Sequence, residues 1–369
     1  MRHDVAIYAP FAGHQYSRDG QIGGGAERQT FLLARALSEK EIAVAHIVLP
    51  VTDPIPMPNA QLTLVERGAY SGRRRFGRVH EIVHIWRGLK EADASVYIVR
   101  TGSPALGLVA AFCRLRRRRL IFASSTDADF TLADLSEPIR AVTYRAGLRC
   151  IDAVVVQTAE QLRLAQAAFP RMSRTLHIPS FAVPMSPAKR PGQAFLWIGR
   201  VVEYKCPLQY VELARALPEA KFWMVATRLR PEAGLYDELV REAAAVPNLE
   251  ILDPRPHAEL MRLVADAVAV VSTSHQEGMP NIFLEGWACG VPALTLDFDP
   301  DDTIASRGIG VAAAGSRERF VEGARRLWES RDSSPEVART SRAYVEEVHG
   351  ISSVGSRWSA LVGELLDVG

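Results

Sequence analysis

The sequence predicts an α/β protein of two doubly wound domains, each a parallel sheet covered by helices on both faces. Three observations support this fold class. The chain has 369 residues, the length of about two domains. Short apolar runs typical of buried strands alternate with segments of helical periodicity along almost the whole chain. A stretch with four prolines, residues 178–192, interrupts the alternation and is typical of a domain linker.

The first half opens with a strand, a glycine-rich turn, a helix and a second strand. We predict the strands at Val5–Ala9 and Ala43–Leu49 and the helix at Ala26–Glu39, a βαβ unit that implies a parallel sheet. Further strands are predicted at Leu62–Val65, Ser95–Val99, Leu120–Ala123 and Ala153–Gln157. Further helices are predicted at Val79–Lys90, Pro104–Arg114, Pro138–Leu148 and Glu160–Phe169.

The second half repeats the alternation after the linker. Strands are predicted at Phe195–Ile198, Lys221–Ala226, Leu249–Leu252, Ala267–Ser272 and Pro292–Leu296. Helices are predicted at Pro207–Leu217, Tyr236–Ala245, His257–Asp266, from Asn281 through Gly286 onwards, Arg317–Ser330 and Ser353–Leu366. The predicted domains are 1–180 and 181–350, facing across a cleft, with 351–369 a helix that returns to the first. Ligands of such sheets bind at the carboxyl ends of the strands.

Composition excludes several other classes of protein. The net charge of +2 is the sum of two unlike halves. Residues 1–183 are basic, with 24 Lys and Arg against 16 Asp and Glu, and residues 184–369 are acidic, with 20 against 26. The four cysteines are widely spaced without a CxxC, so neither a zinc site nor a disulfide framework is expected. The chain start has too short an apolar run for a signal peptide, and no run is long enough to span a bilayer. We therefore expect a cytoplasmic protein.

The first motif that could carry chemistry is Ile22-Gly-Gly-Gly-Ala-Glu27, between the first strand and its helix. Glycines let the backbone approach a ligand closely, and the free N–H groups of a helix start favour anions. The segment is not GxGxxG, and no acidic residue follows the second strand at the spacing of a ribose contact, which disfavours a dinucleotide. A flexible turn is the alternative.

The second and third motifs lie in the acidic half. In Trp197-Ile-Gly-Arg200-Val-Val-Glu-Tyr-Lys205, two cations follow a strand and could clamp a diphosphate, although two solvated cations explain them better when taken alone. The third segment is Ser274-His-Gln-Glu-Gly-Met-Pro-Asn-Ile-Phe-Leu-Glu-Gly-Trp-Ala-Cys-Gly-Val-Pro292. Its Glu285 lies among apolar residues, where a carboxylate needs partners such as sugar hydroxyls. The alternative is that Glu285 caps neighbouring backbone.

These three motifs, in this order, resemble glycosyltransferase family 4 of the GT-B fold. The resemblance covers nearly the whole chain and is most specific between about 195 and 300. It implies transfer of a sugar, with retention of configuration and without a metal ion, from a UDP- or GDP-linked donor. It also implies that Arg200 and Lys205 hold the donor diphosphate, Glu285 the ribose hydroxyls and Glu277 the hydroxyls of the donor sugar.

The same resemblance implies contacts from the backbone and from two further loops. Gly278, Met279, Pro280 and Asn281 would line the sugar and phosphates at a helix start. The loop 253–256, with Arg255, would lie against the nucleobase, and Gly24 and Gly25 would face the phosphates and the acceptor. No protein nucleophile is required if the acceptor hydroxyl attacks on the leaving-group face, while fixed cations stabilise the departing diphosphate.

The chain departs from the family pattern at two places. A loop that often carries a histidine has the sequence Ser124-Ser-Thr-Asp-Ala-Asp129, which makes Asp127 a candidate acceptor-side base, or a residue that caps a helix. The turn after the second strand of the second domain is glycine-rich in the family, but in this chain its sequence is Val225-Ala-Thr-Arg228, so donor contacts there are doubtful. The acidic segment Asp297–Asp302 resembles a metal-binding DxD in the wrong context, and we predict a solvated loop and no metal.

Two basic segments of the first half, Arg73–Arg78 and Arg114–Arg119, could bind an anionic membrane surface or simply be solvated. Sparse aromatic residues between them disfavour nucleic acid. We predict a hexosyltransferase acting on a glycan or lipid-linked acceptor, peripheral to the membrane, in surface polysaccharide or glycolipid biosynthesis. The alternatives are a sugar-nucleotide epimerase of the same fold and a catalytically silent nucleotide-binding scaffold at a membrane.

Overall fold

The computed structural model describes residues 3–18, 24–68, 77–102, 105–131, 138–170, 172, 174–185, 191–229, 233–331 and 335–367. The chain divides into two compact units. The first contains Met1–Phe181 together with Ile351–Gly369, and the second contains Ala182–Gly350.

The first unit contains a parallel sheet of seven strands in the order β3-β2-β1-β4-β5-β6-β7. These strands are β1 His3–Tyr8, β2 Val44–Val48, β3 Leu62–Glu66, β4 Ala94–Arg100, β5 Arg119–Ala123, β6 Ala153–Val156 and β7 Thr175–His177. The central strands consist largely of buried apolar residues because both of their faces are covered. The strand order reverses between β1 and β4, which places a crevice at the carboxyl ends of these two strands.

Seven helices cover this sheet within the described residues. They are α1 Gly25–Ser38, α2 Gly77–Ala92, α3 Ala105–Arg116, α4 Ala128–Thr131, α5 Pro138–Leu148, α6 Ala159–Ala168 and α14 Ile351–Asp367. The last of these is the chain's C-terminal helix, and it packs on α1 and β4. Gly355 allows this close approach, since a Cβ there would lie 3.1 Å from the Ala36 methyl group. Trp358, which is 2% exposed, extends the core of this unit.

The second unit contains a parallel sheet of six strands in the order β10-β9-β8-β11-β12-β13. These strands are β8 Ala194–Arg200, β9 Phe222–Thr227, β10 Leu249–Leu252, β11 Ala267–Ser272, β12 Ala293–Thr295 and β13 Gly310–Ala312. Successive residues of β8 face opposite sides of the sheet, Phe195 in one apolar cluster and Leu196 in another.

Its described helices are α7 Pro207–Ala216, α8 Ala233–Ala244, α9 His257–Ala265, α10 Asn281–Cys289, α11 Thr303–Arg307, α12 Arg317–Glu329 and α13 Pro335–Tyr344. The first cluster contains residues of α7, α8 and α12, and the second contains residues of α9, α10 and α13. Both faces of the sheet are therefore covered, and the doubly wound α/β fold is confirmed.

The elements absent from the prediction are short or mainly polar. Strands β7 and β13 have three residues each, too few to show a period. Helix α13 contains few apolar residues and packs through Ser341 and Tyr344. In the described part of the chain, no helix combines the length and the apolar character needed to cross a membrane.

Candidate functional site

The charged residues singled out in the second half of the sequence follow two neighbouring parallel strands. Arg200 ends β8, and Lys205 ends the 3₁₀ turn Glu203–Lys205 that follows it. Glu277 lies in the loop between β11 and α10. Because β8 and β11 are hydrogen-bonded and parallel, the two loops meet at the same edge of the sheet. Thr273 joins them by donating to the Lys205 carbonyl oxygen at 2.7 Å.

Lys205 and Glu277 form an ion pair at this edge, with Nζ donating to Oε1. Ser274 Oγ donates to the same carboxylate oxygen at 3.0 Å. The side chains of Lys205 and Glu277 are 19% and 15% exposed, so the pair is largely shielded from water while still reachable. The hydrogen bonds from Ser274 to Glu277 and from Thr273 to the Lys205 carbonyl restrict the motion of this pair. The pair therefore holds its geometry better than an exposed pair does.

Tyr204 lies between the two cations that were predicted to clamp a diphosphate. Arg200 Nη2 lies 3.4 Å from the Tyr204 hydroxyl, and Lys205 Nζ lies 5.6 Å from the centre of its ring. Arg200 is exposed, and among the described residues its side chain makes only this weak contact. The guanidinium is thus available to a ligand. Sequence reasoning overlooked Tyr204, although it lies within the motif that was singled out.

Glu285, the second glutamate of the motif, is paired with a histidine. Its Oε1 lies 2.8 Å from Nε2 of His257, and the two side chains are 27% and 37% exposed. Helix α10 buries Phe283 and Trp287 completely, while Glu285 lies on the side of the helix that solvent reaches. His257 is the first residue of α9, two positions after Arg255 of the predicted nucleobase loop. No motif marked His257, and only its position after that loop could have suggested it.

The start of α10 lies directly after Glu277. Gly278 and Met279 are buried, Pro280 is the N-cap residue, and Asn281 is the first helical residue. The free N–H groups of a helix start can bind the oxygens of an anion. Arg255 is half-buried on the loop between β10 and α9. The predicted donor residues of the second unit therefore all end or follow β8, β10 or β11, on one edge of the sheet.

Two acidic residues of the segment Asp297–Asp302 have structural partners. Asp297 lies 2.5 Å from Nδ1 of His275, and Asp299 accepts hydrogen bonds from the backbone of Ile304 and Ala305. Burial raises the pKa of Asp299, and those two hydrogen bonds oppose the shift. Among the described residues, no group of three or more His, Cys, Asp or Glu side chains is arranged to hold a metal ion. The metal independence of the chain stays a prediction.

Arg228, in the altered turn after β9, also has partners within the second unit. Arg228 Nη2 lies 2.9 Å from Asp237 of α8, and its guanidinium lies 5.3 Å from the centre of the Tyr236 ring. Both members of the ion pair are more than half exposed. The pair explains the arginine without a ligand.

In the first unit, Gly24 is the N-cap residue of α1 and Gly25 its first residue. Residues 19–23, including the first part of the glycine motif, lie outside the described residues. The Glu27 carboxylate folds back over Gly24, where an added Cβ would lie 2.4 Å from Oε2. A larger residue would require only a shift of the flexible Glu27 side chain, so the space around Gly24 does not by itself demand glycine.

Asp127 and Asp129 follow β5, and both are buried. Asp127 lies immediately before α4. Asp129 accepts hydrogen bonds from Gly102 N at 2.8 Å, Ser125 N at 2.8 Å, Thr126 N at 3.2 Å and Ser124 Oγ at 3.1 Å. Burial raises the pKa of Asp129, and these donors oppose the rise. Asp129 thus ties the loops after β4 and β5 together, while a catalytic role for Asp127 stays a prediction.

The structure describes all of the second basic segment but only the end of the first. Residues 71–76 of the first lie outside the described part. In the second, Arg118 pairs with Asp93 at 2.9 Å and Arg119 with Asp152 at 3.0 Å, so both have internal partners. Leu115 is 70% exposed. On α2, just after the first segment, Val79, Ile82 and Val83 are all exposed.

Comparison with known proteins gives a family match for part of the chain and a fold match for all of it. Residues 192–330 match the family model described as "Glycosyl transferases group 1". No curated protein sequence matches the chain significantly. Sucrose-phosphate synthase from Thermosynechococcus elongatus superposes with a TM-score of 0.77 at 13% identity, over all of both chains.

Two further solved structures are similar over almost their full lengths. Anabaena HepE in complex with UDP has a TM-score of 0.71 at 14% identity, covering 98% of this chain and 100% of its own. WaaG, a glycosyltransferase involved in lipopolysaccharide biosynthesis, has a TM-score of 0.68 at 17% identity, covering 97% and 99%. Residues 192–330 thus match a group 1 glycosyltransferase domain, and the chain as a whole has the GT-B fold of these solved structures.

Proposed function

We propose that the protein is a retaining, metal-independent family 4 glycosyltransferase that moves a hexose from a nucleotide-sugar to a glycan or lipid-linked acceptor. The donor carries UDP or GDP, and the pathway builds a surface polysaccharide or glycolipid. The observation that carries the proposal is the arrangement of Arg200, Lys205, Glu277 and Glu285 along one sheet edge, beside the start of α10. The complexes of HepE with UDP and with UDP-glucose support a nucleotide-sugar donor.

In this proposal the cations stabilise the leaving group. Cleavage of the glycosyl–phosphate bond places negative charge on the diphosphate, and Arg200, Lys205 and the N–H groups at the start of α10 provide fixed positive charge there. Lys205 is pre-positioned by Glu277 before any ligand is bound. Fixed groups need no reorganisation as the charge develops, so they lower the barrier more than mobile ones would.

The two glutamates bind hydroxyl groups. Oε1 of Glu277 accepts from Lys205 and Ser274, and within the described residues its Oε2 has no hydrogen-bond donor. That oxygen is therefore free to accept from a hydroxyl of the donor sugar. Oε2 of Glu285 is similarly free beside His257 and would accept from the ribose. The acceptor hydroxyl attacks on the face from which the diphosphate leaves, and Asp127 is the candidate to receive its proton.

Incubation of the purified protein with UDP- and GDP-hexoses, with and without glycan and lipid-linked acceptors, tests the reaction. We expect transfer of the sugar with retained anomeric configuration, as detected by NMR. A chelator should not change the rate. Isomerised or released sugar without an acceptor would instead identify the epimerase. Nucleotide binding without any turnover would identify the silent scaffold.

We also propose that the first unit contacts an anionic membrane surface. Val79, Ile82 and Val83 lie on one side of α2, directly after the basic segment, and such a face can enter the lipid headgroup region. Co-sedimentation with phosphatidylglycerol vesicles should exceed that with phosphatidylcholine vesicles. It should fall when Ile82 and Val83 are replaced by serine. Equal sedimentation with both lipids would refute the membrane proposal and leave the transferase intact.

A further inference from the structure

Thr273 directly follows β11 and is completely buried. Its hydroxyl group joins two hydrogen bonds in series. The indole N–H of Trp197, in β8, donates to Thr273 Oγ1 at 3.1 Å. Thr273 Oγ1 donates in turn to the Lys205 carbonyl oxygen at 2.7 Å. The series therefore begins within one strand of the second sheet and ends in the loop that follows the same strand.

The indole of Trp197 determines the direction of this series. An indole N–H can only donate, and a hydroxyl group has a single proton. Because Trp197 donates to the Thr273 oxygen, the proton of Thr273 remains for the Lys205 carbonyl. Trp197 is 2% exposed, so water does not compete for its N–H group. Buried hydrogen bonds in series polarise one another, which makes each of them stronger.

The hydrogen bond from Thr273 holds the peptide plane between Lys205 and Cys206. The oxygen of this plane accepts from Thr273, and its N–H donates to the Glu203 carbonyl at 3.0 Å. The next torsion, φ of Cys206, is 45°, a left-handed value that a residue with a Cβ rarely adopts. Strained residues of this kind persist only where the surrounding structure fixes them. Thr273 is one of the two contacts that fix this plane.

The side chain of Lys205 is held in place beyond the backbone as well. A Cβ on Gly199 would lie 3.3 Å from Cδ of Lys205 and 2.9 Å from Cη2 of Trp197. Glycine therefore lets the lysine stem lie close to the strand, beside the same tryptophan that directs Thr273. At the end of the stem, Nζ is bound by Glu277. The position of the ammonium group thus depends on the carbonyl that Thr273 holds at one end and on Glu277 at the other.

We infer that Thr273, directed by Trp197, is a positioning residue that holds the Lys205 ammonium where it stabilises the leaving diphosphate. Because Thr273 is completely buried, it acts through the backbone of Lys205 and not through a contact of its own with a ligand. Displacement of a catalytic group by about 1 Å can lower a rate about 10²-fold. The inference rests on the proposed function for the role of Lys205, but the placement of its ammonium can be tested without turnover.

Competitive labelling of lysine amines with a trace of acetic anhydride tests the placement in the full chain, with mass spectrometry as the readout. In the wild type, Lys205 should react more slowly than the exposed Lys221. Thr273→Val keeps the shape of the side chain and removes the hydroxyl. It should raise the labelling of Lys205 relative to Lys221 by about threefold, because the loop opens more often.

Thr295→Val is the matched control. Thr295 is a completely buried threonine of β12 in the same sheet, and its hydroxyl has no hydrogen-bond partner among the residues that the structure describes. The same change of side chain there should leave the labelling of Lys205 and the activity at the wild-type level. An equal effect of the two substitutions would overturn the inference, since it would show that any lost hydroxyl in this sheet loosens the loop.

Steady-state kinetics with the active donor tests the consequence for the reaction. In Thr273→Val, kcat should fall about tenfold with a smaller change in KM, because the charge on the leaving group develops in the transition state. Thr273→Ser retains the hydroxyl and should restore most of the lost kcat. A merely structural role would reduce the amount of folded protein and would leave kcat of the folded fraction unchanged, which would overturn the inference.

Cys206→Gly provides a rescue that follows from the strained backbone. Glycine adopts left-handed φ values without strain, so the peptide plane needs fewer contacts to keep its orientation. Thr273→Val combined with Cys206→Gly should therefore show higher kcat and less labelling of Lys205 than Thr273→Val alone. If Thr273→Val does not fold, Trp197→Phe removes the directing N–H and should raise the labelling of Lys205 in the same way.

The labelling and the kinetics separate the two proposals. Wild-type labelling of Lys205 in both Thr273→Val and Trp197→Phe would overturn the positioning role, whatever the activity of these variants. A wild-type protein that turns over no nucleotide-sugar would refute the proposed function, and the labelling would still decide whether Thr273 holds Lys205 in place.

Discussion

Charged side chains at the carboxyl edges of the two sheets differ in whether they have an internal partner. In the second sheet Lys205 is paired with Glu277, and Glu285 with His257. In the first sheet Arg100 ends β4, and its Nε is inaccessible to solvent and has no hydrogen-bond acceptor among the described residues. Paired groups hold one another in a fixed orientation, whereas this nitrogen has no such contact. The difference teaches that the charged side chains after β8, β10 and β11 orient one another, while the edge of the first sheet contains a buried polar atom without a partner in the described part of the chain.

A second contrast concerns carboxylates that look alike in the sequence. Asp129 and Glu277 both follow a central strand. Asp129 accepts four hydrogen bonds that engage both of its oxygens, while among the described residues one oxygen of Glu277 has no donor. The number of internal donors thus distinguishes a carboxylate that holds loops together from one that can bind a ligand.

The largest expected effect is a loss of catalytic efficiency when the Lys205–Glu277 ion pair is removed. Lys205→Ala removes the cation proposed to stabilise the leaving diphosphate, so kcat/KM should fall by about 10²–10³-fold. Steady-state kinetics with the active donor measures it. Lys221→Ala, an exposed lysine at the other end of the sheet, is the matched control and should retain full activity. An active Lys205→Ala enzyme would refute the diphosphate assignment.

Asp129→Ala tests the contrast between structural and ligand-binding carboxylates. It leaves buried donors of the loops after β4 and β5 unsatisfied, at a cost of about 3 kcal/mol. Hydrogen exchange should accelerate in residues 94–131 while the second unit serves as an internal reference. Asp237→Ala breaks an exposed pair and should change stability by less than about 1 kcal/mol. Unchanged exchange in Asp129→Ala would show that those four hydrogen bonds are not needed.

His46 allows the first unit to be destabilised by pH alone. It is fully buried against Tyr16, and burial lowers its pKa to about 3. The unfolded chain takes up a proton near pH 6.5, whereas the folded chain does not, so stability falls as pH drops below 6.5. Between pH 7 and pH 5 the loss should be about 2 kcal/mol.

Urea unfolding at the two pH values measures this loss, with His46→Asn as the comparison. The variant can still bond to Tyr16 but does not titrate, so its stability should depend less on pH by the same amount. Identical pH dependence in the two proteins would exclude His46 as the cause.

The smallest expected effect concerns His257. Without it Glu285 loses the contact that orients its carboxylate, so KM for the nucleotide-sugar should rise about fivefold while kcat stays nearly constant. His80→Ala, an exposed histidine of the first unit, controls for loss of an imidazole. An equal fall in kcat would instead assign His257 a role in the transition state.

Sequence patterns predicted most of the fold because long buried strands and amphipathic helices have clear periods. The seven-residue strand β4 and the helix α1 illustrate this. The three-residue strands β7 and β13 are too short to carry a period, and only pairing with a longer neighbour makes them strands. The motif glutamates and cations could be predicted by spacing, whereas His257 could not, since it meets Glu285 from another helix.

By itself, therefore, the sequence determined the alternation of strands and helices, because the period of each element depends on residues close together in the chain. Only the tertiary structure decided which charges are paired. Lys205 and Glu277 are 72 residues apart, and they meet because β8 and β11 are neighbours in the sheet. The buried Nε of Arg100 could not be predicted either, because the polarity of one residue does not reveal how many donors and acceptors folding brings around it.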